Sequence, residues 1–113
     1  MIVNRSALLV RPRKPYIQWA NSFENGHVTV SLEEHQREYT IYLVPEVMDE
    51  RNLEQIIRRN FKEIFEYELA AWMVDESTWP TMRTYRSFRQ WFEVECHSLV
   101  CDLSNEELLS EKP

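Results

Sequence analysis

Hydrophobic positions along the chain fall into blocks whose periods change, and each change marks an element. Ser6 to Val10 is a short apolar run bounded by charge and closed by Pro12, which predicts a strand buried on both faces. Pro15 suits the first turn of a helix whose Tyr16, Ile17, Trp19, Ala20 and Phe23 share one side, with Asn25-Gly26 as its stop. Ser31-x-x-Glu34 has the capping-box spacing and predicts a short helix over Leu32 to Arg37. Tyr39 to Val44, dense in β-branched and aromatic residues and closed by Pro45, predicts a second strand.

The clearest period lies between Asn52 and Met73. Leu53, Ile56, Ile57, Phe61, Ile64, Phe65, Leu69, Trp72 and Met73 recur at helical steps, with Asp49 or Asn52 as the cap. Glu54, Arg58, Arg59, Lys62, Glu63 and Glu66 occupy the other side, and Glu54 and Arg58 form a favourable i, i+4 pair. Pro80 ends the helical pattern, and Thr84 to Trp91 predicts another helix capped by Thr81 or Thr84. Phe92 to Leu103 reads as a long third strand. Its even positions Phe92, Val94, Cys96, Ser98 and Val100 face the core, and Glu93, Glu95 and His97 share the other face. Ser104-x-x-Glu107 is a further capping box, followed by a polar end that frays. The expected fold is α+β: a small, mostly antiparallel three-stranded sheet covered by one long amphipathic helix and shorter helices, with residues 1–113 as one compact domain.

Composition narrows the chemistry. Gly26 is the only glycine, whereas average usage of about 7% would give roughly eight. Glycine-rich phosphate loops, dinucleotide fingerprints and the G-x-S-x-G elbow cannot be built. A net charge of −6 makes nucleic acid a poor partner, although it leaves an acidic mimic of nucleic acid as a remote third reading. An extended run holds Cys96 and Cys101 about 17 Å apart on opposite faces, so both are expected as free thiols. No signal-peptide pattern and no apolar membrane span is legible, and the expected compartment is the cytoplasm. Charge is blocky: residues 1–14 carry four positive groups and no negative ones, and residues 93–113 carry six negative and one positive. Either Arg5 and Arg11, which share a parity on the first strand, meet the Glu93 and Glu95 row, or the two ends are simply solvated charged edges.

Three constellations are candidates for function. Glu93-x-Glu95-x-His97 puts two carboxylates and an imidazole in one row at steps of about 6.8 Å, suited to acid-base work or to a shared metal, or else simply a solvated strand face. His97 and Ser98 point to opposite faces and are discounted as a dyad. Arg83, Arg86 and Arg89 recur at steps of three and form either an anion-binding row or a solvated face. Trp79, in a presumed loop before Pro80, is either a plug over the core edge or an interface anchor. No cofactor and no metal set is indicated.

From Asp75 to Leu103 the chain reads D-E-x-x-W-P-x-x-R-T-x-x-x-F-x-x-W-F-x-V-x-x-H-S-x-V-x-D-L. Together with N-R-S-A-L-L-V-R-P at the start, I-Y-L-V-P-E from Ile41 and I-F-E-x-E-L-x-x-W from Ile64, it resembles a family of small, functionally uncharacterised bacterial proteins. The resemblance implies a bacterial, cytoplasmic, single-domain protein and draws attention to Trp79, Pro80, Arg83, Trp91, His97, Ser98 and Asp102, without supplying a reaction. The functional expectation is a noncatalytic module that contacts another protein, self-association included, with Trp79, Arg83 and Arg86 as binding candidates. The alternative is a small acid-base or metal-dependent enzyme using His97 with Glu95 or Glu93.

Overall fold

The computed structural model describes residues 1–23 and 39–111. The Asn25-Gly26 stop and the Leu32 to Arg37 helix lie outside the described residues. The elements are β1 (Arg5–Pro12), α1 (Lys14–Asn21), β2 (Thr40–Pro45), α2 (Glu50–Trp72), α3 (Tyr85–Trp91) and β3 (Phe92–His97), with one 3₁₀ turn at Glu76–Thr78. The sheet order is β2-β1-β3 and both pairings are antiparallel, in agreement with the α+β fold read from the sequence.

Alternation along β1 sorts the sheet into two faces. Ser6, Leu8 and Val10 are fully buried on the inner one. Register places Tyr42 and Cys96 beside Leu8, and Thr40 and Val94 beside Val10. Helix α2 covers this face with Ile56, Ile57, Ile64, Phe65 and Leu69. At about 1.5 Å per residue its 23 residues span roughly 34 Å. Asp49 is the cap, accepting a bond from the Asn52 amide at 2.7 Å, while Asn52 Oδ1 accepts from the Met48 amide at 2.9 Å. Asp49→Ala is expected to cost about 1 kcal/mol in urea denaturation, because that amide loses its acceptor. An unchanged midpoint would show that the cap contributes nothing.

Helix α1 ends at Asn21, where the Ser22 amide donates to the carbonyls of Gln18 and Trp19 and tightens the last turn. Helix α3 begins at a reciprocal box: Thr84 Oγ1 accepts from the Ser87 amide at 3.1 Å, and Ser87 Oγ accepts from the Thr84 amide at 2.8 Å. It runs straight into β3, so Phe88, Trp91 and Phe92 turn a corner against Phe65. Indole N–H groups tie the periphery to backbone carbonyls: Trp19 to Thr78 at 3.0 Å, Trp72 to Ala20 at 3.0 Å and Trp79 to Met73 at 2.8 Å.

Two expectations near the end of the chain are corrected. The third strand stops at His97 instead of reaching Leu103. The buried Ser6 hydroxyl donates to the Ser98 carbonyl at 3.2 Å and accepts from the Val47 amide at 2.9 Å, and such a side-chain bond competes with the regular ladder. Pairing resumes beyond it as an isolated Ile2–Cys101 bridge, flanked by the Val3 amide on the Val100 carbonyl at 2.9 Å. The Ser104 box starts no helix. Ser104 Oγ instead accepts from the Glu106 amide at 3.0 Å in a local turn, and every described residue from 101 onward is exposed, so no core supports a short helix there.

Candidate functional site

The outer face of the sheet is built from the odd positions. On β1 these are Arg5, Ala7, Leu9 and Arg11, with Leu9 set between Ile41 and Glu95, and Ala7 between Leu43 and His97. The β2 side is apolar and open: Ile41 is 56% exposed and Leu43 50%. The β3 side is charged. Burying a leucine-sized side chain is worth about 1.5–3 kcal/mol, so leaving two aliphatic groups side by side in water forgoes a stabilisation that a partner could recover.

Arg11 spans the width of this face. Its guanidinium lies 4.7 Å from the centre of the Tyr39 ring on one side and 3.3 Å from Glu95 on the other. Glu95 in turn lies 2.7 Å from His97 Nε2. Hydrogen bonds from His97 and then Arg11 hold the Glu95 carboxyl below the ordinary carboxylate range. The expected meeting of the basic start of the chain with the acidic row therefore occurs through Arg11, whereas Arg5 donates to Asn4. The His97 and Glu95 side chains are 54% and 44% exposed, on an open surface. Among the described residues no cluster of three His, Cys, Asp or Glu side chains could hold a metal ion. Ser98 lies beyond the end of β3, and its carbonyl is occupied by Ser6.

The arginine row and the loop tryptophan take other roles. Trp79 is only 9% exposed, with its indole bonded to Met73, so it plugs the core edge and offers no exposed anchor. Arg83 precedes α3, whose cap is Thr84, so the three arginines do not share one helix. Arg83 Nη1 donates to the Pro80 carbonyl at 2.7 Å, and its guanidinium lies 5.7 Å from the Trp79 ring centre, closing the loop. Arg86 is exposed on α3.

Two features were not singled out from the sequence. Glu68 sits within the apolar stripe of α2, 9% exposed, and accepts a bond from the Tyr42 hydroxyl at 2.5 Å. Burial pushes its carboxyl up, while bonds from Tyr42 and Thr40 oppose that shift. The signal was present: a carboxylate four residues after Ile64 and four before Trp72 falls on the stripe itself. The second feature is a cleft of about 190 Å³ between the edge strand β2 and α2, lined chiefly by Tyr42, Leu43, Asn60, Glu63, Ile64 and Tyr67. Tyr42 and Tyr67 meet edge to face there at 6.0 Å. Cys96 and Cys101 are free thiols, and among the described residues no helix is long and apolar enough to cross a membrane. Comparison with family models, curated proteins and solved structures finds no match, so the functional reading rests on this surface alone.

Proposed function

We propose that the chain is a noncatalytic protein-interaction module acting in the cytoplasm, and that the outer sheet face is its contact surface. The observation that carries this reading is the side-by-side exposure of Ile41 and Leu43 next to the Arg11–Glu95 ion pair and the His97 imidazole. An apolar patch bounded by fixed charges has the anatomy of a binding surface: the apolar half supplies affinity, and the charges set orientation. The two free thiols agree with a reducing compartment. Ile41→Asp places a carboxylate in the patch at an exposed position and leaves the core intact. In quantitative affinity capture from the source cell with cross-linking, this variant is expected to lose, by about tenfold or more, partners that cross-link to the sheet face. Recovery equal to that of the unaltered protein would reject the assignment of this face.

A second reading is favoured by the 2.7 Å contact between Glu95 and His97, since a carboxylate that orients an imidazole is half of a general-base arrangement. The open surroundings argue against it, because an exposed pair neither excludes water nor encloses a substrate. Turnover abolished by His97→Ala in an activity screen would support catalysis, and unchanged background would remove it.

A further inference from the structure

The two edges of the sheet are defended unequally. Strand β3 carries Glu93 and Glu95, charges of the kind that discourage pairing with a foreign strand. Strand β2 reads Thr-Ile-Tyr-Leu-Val-Pro and carries none. Among the described residues β2 pairs on one side only, with β1. Beside its other edge runs the cleft against α2, where Tyr67 and Ile64 form an apolar floor and Glu63 supplies a carboxylate. An uncharged strand edge flanked by a helix groove is the layout used to bind a peptide as an added strand, with main-chain bonds giving affinity and alternate side chains giving selectivity.

We infer that β2 accepts an extended segment of a partner protein as a fourth strand, and that this segment is apolar with at least one lysine or arginine. The inference rests on the interaction reading above and names the chemistry of the partner. Residues of the added strand on the outer side extend the layer of Leu9, Ile41 and Leu43, as cross-strand apolar pairs do. Those on the other side enter the cleft, where an apolar group packs on Tyr67 and a basic group meets Glu63. The net charge of −6 favours the same sign of partner. Pro45 has no N–H to donate, so it limits the ladder to Thr40–Val44 and fixes where the added strand ends.

The test is selection of binders to the full chain from a random decapeptide library, followed by affinity measurement and amide exchange on the selected peptides. The expected peptides alternate apolar residues with a lysine or arginine, and slow the exchange of β2 amides between residues 40 and 44. Methylating the backbone nitrogens of alternate peptide residues is expected to abolish binding for one set and spare the other, because only one set donates to β2. Glu63→Lys, on an exposed side chain, is expected to weaken the basic peptides by roughly fivefold or more. Absence of enriched peptides, equal binding of both methylated sets, or protection of β2 by dimerisation without peptide would each overturn the inference. If strand addition fails while Ile41→Asp still releases partners captured through the face, the interaction reading stands alone. If both fail, neither stands.

Discussion

Phe65→Ala is expected to destabilise the protein by about 3–5 kcal/mol and to lower its thermal midpoint by roughly 15–25 °C. Phe65 projects from the middle of α2 with no exposed surface. Its ring centre lies 5.9 Å from that of Phe88, 5.6 Å from Trp91 and 5.4 Å from Phe92. These three residues belong to the α3–β3 corner, so a single ring supports both the helix layer and the start of a strand. Truncation removes the transfer free energy of the ring and leaves a cavity whose walls cannot close, because Phe88 and Phe92 are themselves packed at 5.3 Å. Net stability of a domain this size is about 5–15 kcal/mol, so the loss is a large share of the whole. Glu66→Ala, at the next and exposed position, is expected to stay within about 0.5 kcal/mol. A drop for Phe65→Ala no larger than that of the control would mean that α2 is not seated on this corner.

The α2 stripe, the β1 and β2 runs and the helix after Pro80 were legible because each is a local pattern: period, cap and proline lie within one stretch of chain, although the choice between Thr81 and Thr84 as the cap was settled only by the Ser87 amide. The Arg11–Glu95 meeting was legible from parity, since antiparallel neighbours that share a face need only the right register. What could not be read depends on residues far apart. The early end of β3 comes from the hydroxyl of Ser6, 92 positions away from Ser98. The edge position of β2 among the described residues follows from β1 lying at the centre of the sheet, an order that no single segment encodes. Glu68 was passed over because a stripe is counted by its apolar members, and its hydroxyl partner Tyr42 lies 26 residues earlier. Trp79 left both roles open until the Met73 carbonyl supplied its partner.

Tyr42→Phe is expected to cost about 1.5–3 kcal/mol at neutral pH, the worth of a hydrogen bond to a charged group that is then left buried. Glu68 is faced by Thr40 and Tyr42 from β2, and the Tyr16 hydroxyl of α1 donates to its backbone carbonyl at 2.8 Å. Both tyrosine hydroxyls are pushed up by burial and by the Glu68 charge, and so remain protonated where the carboxyl titrates. Burial raises the folded-state value of Glu68 above its ordinary 4.5. Below that ordinary value both states are protonated and the group is neutral to stability; as pH rises from there to the folded value the unfolded chain ionises first, and stability falls until it levels off. Glu68→Gln keeps an acceptor for Tyr42 and removes the titration, so its stability relative to the unaltered protein is expected to rise with pH across that window. Tyr42→Phe acts in the opposite sense. It removes a bond that favours the ionised form, raises the folded value further and makes its own cost larger at neutral than at acid pH. Glu95 contributes the reverse slope, because a carboxyl held low in the folded state loses its stabilisation as pH falls through that value. Its exposed partners are screened by about 0.5 M salt, which leaves the Glu68 contribution in view. Urea denaturation of the two single variants and the double variant from pH 4 to 8 measures the coupling. A Tyr42→Phe cost independent of pH, or unchanged when Glu68 is already glutamine, would show that the carboxylate is not ionised against that hydroxyl in the folded protein.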